Sequence, residues 1–241
     1  MAGGGRLRVA GVAVVSEARA TLNWPSEKST TERILILIGQ YDSPFVRRVA
    51  IALNLYGMAY EHRPWSVFGD ADKVAPFNPL IRVPTLVLDS GDVLLESALI
   101  LDYLDEQAGE RALIASSGPQ RREALKVCAL GTGLADKAVA LVYERVLHKE
   151  KSQAWLDRCT GQVERVLNAL EADRAARATQ YWFGESIGHA DIAVACALRF
   201  AREAHPEIVS STRWPTLIGH SDRCETLPVF QSIVQPFNPP R

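Results

Sequence analysis

Apolar positions along this chain change their period part-way, from short runs and alternation to long helical stripes. Residues 34–38 (ILILI) are apolar at every position, the pattern of a short strand covered on both faces. Ser43-Pro44 then reads as a helix start. The serine takes the N-cap, and the proline takes the first helical position, where its missing N–H costs nothing. Phe45, Val46, Val49, Ala52, Leu53 and Tyr56 follow at helical spacing, and Gly57 can close the helix in a left-handed conformation. A serine hydroxyl is thereby placed beside the unsatisfied N–H groups and positive end of a helix, a natural position for an anion such as a thiolate.

Residues 59–64 alternate weakly, as a strand on the rim of a sheet would, and 66–78 can hold a short irregular helix. A strand over 83–88 is entered through Pro84. Asp89-Ser90-Gly91-Asp92 is turn chemistry, and Val93-Leu94-Leu95 returns antiparallel as a hairpin. Residues 97–107 read as a helix with Leu99, Ile100, Tyr103 and Leu104 on one stripe and Gly109 beyond its end. After the linker 116–119 no convincing strand follows. Helical periodicity runs through 120–149 and 152–178, an aromatic loop lies at 181–184, and 190–204 is apolar on nearly all faces, as in a central buried helix. Trp214-Pro215 and Leu227-Pro228 open two further helices. The expected architecture is an α/β N-terminal domain over 34–110, with a mixed sheet in the order βαβ–ββα, followed by an all-α C-terminal domain over 119–241.

Composition narrows the function classes. The 241 residues carry a formal net charge of −1, so no global field invites nucleic acid or an anionic membrane. No apolar run approaches the roughly 20 residues of a spanning helix. Cys128, Cys159, Cys196 and Cys224 are widely spaced in helical segments without a CxxC pair. They read as buried free thiols of a reducing, cytoplasmic compartment. Histidines are scattered and no metal motif is present, nor a GxGxxG, P-loop or GxSxG pattern. Residues 1–33 imitate a secretory signal through Arg6, Arg8 and the apolar run 9–15. That run is short, Gly11 interrupts it, and Glu17 precedes the cleavage-like Ala18-Arg19-Ala20. The stretch is read as a disordered extension or a start placed upstream of the natural one. Arg47 and Arg48 read as solvated surface charges, Asp191 as a structural helix cap, and His189 as a helix-start residue with no visible partner.

Taken in order, Tyr41–Leu53 (YDSPFVRRVAIAL), Asn78–Glu106 (NPLIRVPTLVLDSGDVLLESALILDYLDE) and Ile187–Phe200 (IGHADIAVACALRF) resemble the glutathione transferase family, from about residue 34 to the C-terminus. The resemblance implies a thioredoxin-like N-terminal domain that binds glutathione and a helical domain that supplies the acceptor wall. Val83 would offer its backbone N–H and C=O to the cysteinyl part of glutathione, ahead of a cis Pro84. Glu96 and Ser97 would hold the γ-glutamyl end, and Arg82 would face the glycyl carboxylate. Ser43 matches the residue that donates to the glutathione sulfur in serine-type classes, with Phe45 beside it in the glutathione site. Ser43 would thus stabilise another molecule's nucleophile rather than attack. Tyr41 is the nearby alternative, since some classes use tyrosine; Ser43-Pro44-Phe45 fits the serine-type pattern. Tyr143 is the residue assigned to the acceptor site. Gly188 stands where the family often has Ser or Thr, leaving the Asp191 half of a capping box. Ile81 replaces a common glycine, and a β-branched residue resists the conformations glycine adopts.

The activity implied is conjugation of the glutathione thiolate to small apolar electrophiles. Glutathione is the cosubstrate, no metal or other cofactor is implied, and a homodimer is expected. Glutaredoxin-like thiol–disulfide chemistry needs a cysteine at the helix start, where Ser43-Pro44-Phe45-Val46 has none. A non-catalytic glutathione-binding or scaffolding protein of the same fold is the alternative, since fold alone does not secure function.

Overall fold

The computed structural model describes residues 35–209 and 211–240. The expectations for the extension over 1–33, and for Ile34 at the head of the first strand, lie outside the described residues. Strands β1 (Leu35–Ile38), β2 (Tyr60–Arg63), β3 (Thr85–Val87) and β4 (Val93–Leu95) form one mixed sheet in the order β2-β1-β3-β4. β1 is parallel to β2, with Leu37 opposite His62, and antiparallel to β3, with Leu37 opposite Leu86. A parallel pair requires a crossover, and helix α1 (Pro44–Tyr56) supplies it. α2 (Ala71–Val74) lies between β2 and β3, and α3 (Ser97–Ala108) follows the β3–β4 hairpin.

Both faces of β1 are covered, which accounts for its unbroken apolar run. Leu37 joins the core formed by Val49, Leu53, Ile100 and Leu104, while Ile36 and Ile38 turn to Val74, Val87 and Trp65. On α3 the buried stripe differs from the expected one. Ile100, Leu101, Leu104 and Ala108 face inward, whereas Leu99 is 64% exposed. Leu99 falls on the opposite side of the helix from the centre of that stripe, so its apolar character alone misplaced it.

The second half contains α4 (Gly118–Leu147), α5 (Gln153–Ala175), α6 (His189–Ala204), α7 (Pro215–Glu225) and α8 (Pro228–Ser232). α6 is central, as its all-round apolarity required. Ala193, Val194 and Ala197 share a core with Leu134 and Leu167, whereas Ile192, Ala195 and Cys196 share one with α1. At Gly131 a β-carbon would lie 3.1 Å from the Ala193 backbone, so α4 and α6 cross at a distance that suits glycine. Asp191 caps α6, its two oxygens accepting from the Gly188 and Trp182 N–H groups at 2.8 Å each. Gly188 has no side chain to return the bond, so only the aspartate half of the box operates.

Polar contacts between elements correct two readings. Arg47 and Arg48 are buried, at 2% and 4% exposure, not solvated. α1 is covered on nearly every side, so even its polar positions face protein. Arg47 donates to both carboxylate oxygens of Glu225, at 2.6 and 2.8 Å, and to the carbonyls of Phe230 and Ile233, tying α1 to the C-terminal segment. His189 has a partner as well: its Nε2 lies 2.8 Å from Asp105 Oδ1, which also accepts from the Tyr56 hydroxyl. That trio joins α1, α3 and α6. Burial raises the Asp105 carboxyl, but bonding and charge from His189, with the Tyr56 bond, outweigh it and hold the group below its ordinary range.

Truncating Arg47 to alanine leaves the partly buried Glu225 without its main partner and should lower the unfolding free energy by about 3 kcal/mol. Arg47→Met, which keeps the apolar stem, should lose less, as read by urea denaturation. A carboxylate held low in the fold stabilises above its unfolded pKa, and that stability is lost as pH falls through its folded value. Stability should therefore drop on acidification below about pH 4, with a shallower slope in Asp105→Asn, measured by thermal unfolding across pH.

Candidate functional site

The expected cap at the start of α1 is formed. Ser43 has an extended backbone, its Oγ accepts from the Val46 N–H at 3.4 Å, and Gly57 closes the helix at φ 69°. A hydroxyl that accepts in a cap still has its own proton to donate. Gly39, just upstream, has φ 127°, and a β-carbon there would come within 2.5 Å of Val46 and 2.7 Å of Val83. That close approach brings the start of α1 against the segment preceding β3.

The Val83–Pro84 peptide is cis, as the resemblance implied. The segment leading to it is held by Asn78, which the sequence reading did not single out. The buried Asn78 amide donates to the Arg82 carbonyl at 2.8 Å and to Thr85 Oγ1 at 3.2 Å, while its oxygen accepts from the Leu80 N–H at 3.0 Å. The signal was the Asn78-Pro79 dipeptide, a turn initiator. Ile81 occupies the left-handed region at φ 50° despite its β-branch, a conformation costly for such a side chain. The Asn78 clamp, including the Ile81 N–H bond to the Asn78 carbonyl at 2.9 Å, holds it there. Glu96, at φ 64°, turns the chain from β4 into α3, and its carboxylate pairs with Arg82 at 3.2 Å. Ser97 is buried at the first position of α3.

A cavity of about 890 Å³ opens beside Ser43. Of the expected site residues, Ser43, Phe45, Arg82, Val83 and Tyr143 line it; Pro84, Glu96 and Ser97 are not among its lining residues. Tyr41 is turned elsewhere. Its ring stacks on His62 at 3.8 Å and its hydroxyl bonds that of Tyr60 at 2.8 Å, and both burial and this bond push its phenol upward in pKa. Aromatic side chains line the cavity as well. Phe68 meets Tyr143 edge-on at 5.4 Å, and Phe200 meets Phe237 edge-on at 5.2 Å. Phe237 to Pro240, beyond the last helix, line the cavity too, a contribution that no local sequence signal marked. Beside Ser43 the Asp42 carboxyl is raised by burial, with bonds from the Asn238 and Ser43 N–H groups opposing the shift. Among the described residues, no cysteine lines the cavity. Burial pushes the Cys128 thiol up to about 11 and that of Cys196 to about 12, so both stay protonated at neutral pH.

Comparison with known proteins agrees with this architecture. Residues 37–112 match the glutathione S-transferase N-terminal domain and residues 153–223 the C-terminal domain. A Pseudomonas fluorescens glutathione transferase family member, solved with bound glutathione, is 30% identical, with a TM-score of 0.73 over 84% of this chain and 100% of that one. This chain belongs to the glutathione S-transferase family. A Methylobacterium radiotolerans glutathione S-transferase in complex with glutathione sulfonate superposes at TM-score 0.79, with 27% identity, over 85% of this chain and 96% of that one. A Pseudomonas aeruginosa maleylacetoacetate isomerase is 29% identical over 211 residues, 83% of this chain and 95% of its own.

In this glutathione S-transferase fold, Asn78 is the buried polar group on which the cis segment depends. Asn78→Ala should leave the Arg82 carbonyl and Leu80 N–H short of partners, costing about 1–3 kcal/mol of stability. The measurement is chemical denaturation, with Asn78→Asp expected to cost at least as much, since a buried carboxylate oxygen would face the Arg82 carbonyl with no proton to donate.

Proposed function

We propose that the protein conjugates the thiolate of glutathione to small apolar electrophiles, with Ser43 donating a hydrogen bond to the sulfur. The observation that carries this is the Ser43 hydroxyl at the N-terminus of α1, on the wall of a cavity that Val83, Phe68, Tyr143, Phe200 and Phe237 also line. Support for glutathione as the ligand comes from the relatives solved with it or its sulfonate. Val83 would pair its backbone with the cysteinyl unit, Glu96 and Ser97 would take the γ-glutamyl end, and Arg82 the glycyl carboxylate. The hydroxyl donor and the helix N-terminus both favour the charged sulfur over the thiol. With a chlorinated aromatic acceptor, the sulfur attacks the carbon bearing chlorine. The C–S bond forms, the C–Cl bond breaks, chloride leaves with the bonding pair, and the thiol proton goes to solvent.

Likeness to a maleylacetoacetate isomerase favours a second reading, in which the same thiolate adds reversibly to an unsaturated acid and isomerises it. Non-catalytic glutathione binding is the remaining alternative.

Removing one preorganised donor to a developing or held anion costs about 10²–10³ in rate. Ser43→Ala should therefore lower kcat/KM for 1-chloro-2,4-dinitrobenzene about 100-fold. It should also shift the thiolate absorbance of bound glutathione to higher pH, toward the free thiol near about 8.5. Loss of the cap should cost about 1 kcal/mol of stability as well. Ser43→Asp, which can cap but has no proton to donate, should regain stability without regaining activity. Wild-type rates in Ser43→Ala would remove Ser43 from this part, and wild-type protein that binds glutathione without conjugating any acceptor would leave the binding-protein alternative.

A further inference from the structure

Charge is distributed unevenly around the cavity. Among the described residues that line it, the charged side chains are Asp42, Asp136 and Arg82. Arg82 is already paired with Glu96 at 3.2 Å, and in the reading above it also meets a carboxylate of glutathione. Asp136 is partly neutralised by Lys137 at 2.8 Å. Asp42 differs from both. Burial raises its carboxyl, while the backbone N–H groups of Asn238, at 3.4 Å, and Ser43 favour the carboxylate form and bring no opposite charge to cancel it. Glu203, of the same sign, adds repulsion. Asp42 adjoins Ser43 in sequence and lines the same cavity, and Tyr143 on the acceptor wall lies within the fields of both Asp42 and Arg82. The rest of the lining carries no charged side chain, and its aromatic rings, among them Phe68, Tyr143, Phe200 and Phe237, attract cations.

We propose that this cavity selects uncharged or cationic aromatic electrophiles and rejects carboxylate-bearing ones, with Asp42 as the specificity-determining residue. The inference rests on the transferase reading and sharpens its acceptor class. A carboxylate entering beside the thiolate would meet a second negative charge, while the cation among the described lining residues, Arg82, is already paired; this is a repulsive element of the kind that sets specificity. An unsaturated dicarboxylic acid is disfavoured on the same ground, which separates this chain's acceptor from that in its isomerase relative's name. Asp42 stands immediately before the cap serine, where its isosteric amide would keep the bond to Asn238 and remove the charge.

The test measures binding, so that it does not depend on turnover. Calorimetry on the full chain compares S-(4-nitrobenzyl)glutathione, S-(4-carboxybenzyl)glutathione and a trimethylammonium-bearing benzyl conjugate, with glutathione itself as the reference. The carboxylate conjugate should bind about tenfold more weakly than the nitro conjugate, and the cationic one at least as tightly as the nitro conjugate. In Asp42→Asn the ratio of carboxylate to nitro affinity should rise severalfold. Asp136→Asn, at an exposed position that does not threaten folding, should move it less. Failure of glutathione itself to bind would overturn the transferase reading together with this one. Normal glutathione binding with equal affinity for the carboxylate and nitro conjugates would overturn the charge selection alone. Discrimination that persists unchanged in Asp42→Asn would remove Asp42 as its cause.

Discussion

Helix α1 can present a serine hydroxyl on the wall of a cavity because the rest of the helix is locked in place on nearly every side. Its apolar residues Val49, Leu53 and Tyr56 share one core with β1, α3 and α6. Its Arg47 reaches Glu225 and two carbonyls near the C-terminus. A free helix start would bind anions weakly, since its N–H groups are satisfied equally well by water. Buried along its length, the same helix fixes the position of Ser43 relative to Val83 through the close approach at Gly39.

The two halves are joined through polar groups as much as through packing. Tyr56, Asp105 and His189 connect α1, α3 and α6 at one junction, and Leu113 adds to it by donating to the Tyr56 hydroxyl at 2.9 Å. Apolar burial sets how strongly α6 is held, but it is non-directional. Directional bonds at this junction add orientation to the packing that brings α4 and residues 237–240 into the cavity lined by Ser43.

Much of the site was legible as local chemistry. Ser43-Pro44 announces a cap, Val83-Pro84 a turn into a strand, and Gly188 with Asp191 the start of a buried helix, because each depends on backbone geometry only a few residues away. Leu99 shows the limit of pattern reading: an apolar residue beside a real stripe still points to solvent. Ile81 shows another, since the sequence argued against a left-handed residue there and the Asn78 clamp imposes it.

The sequence by itself determined the order of elements, both ends of α1, the mixed sheet and the helical second half, all of which follow from periodicity and short-range sterics. Tertiary structure alone decided that Arg47 and Arg48 are buried, that His189 finds Asp105, that Tyr41 turns away to His62 and Tyr60, and that Phe237 closes one side of the cavity. These outcomes depend on contacts between residues far apart in the chain. A charged or aromatic side chain has the same local propensity whether its partner is water or a group brought near by folding, so nothing within its own segment can tell the two apart.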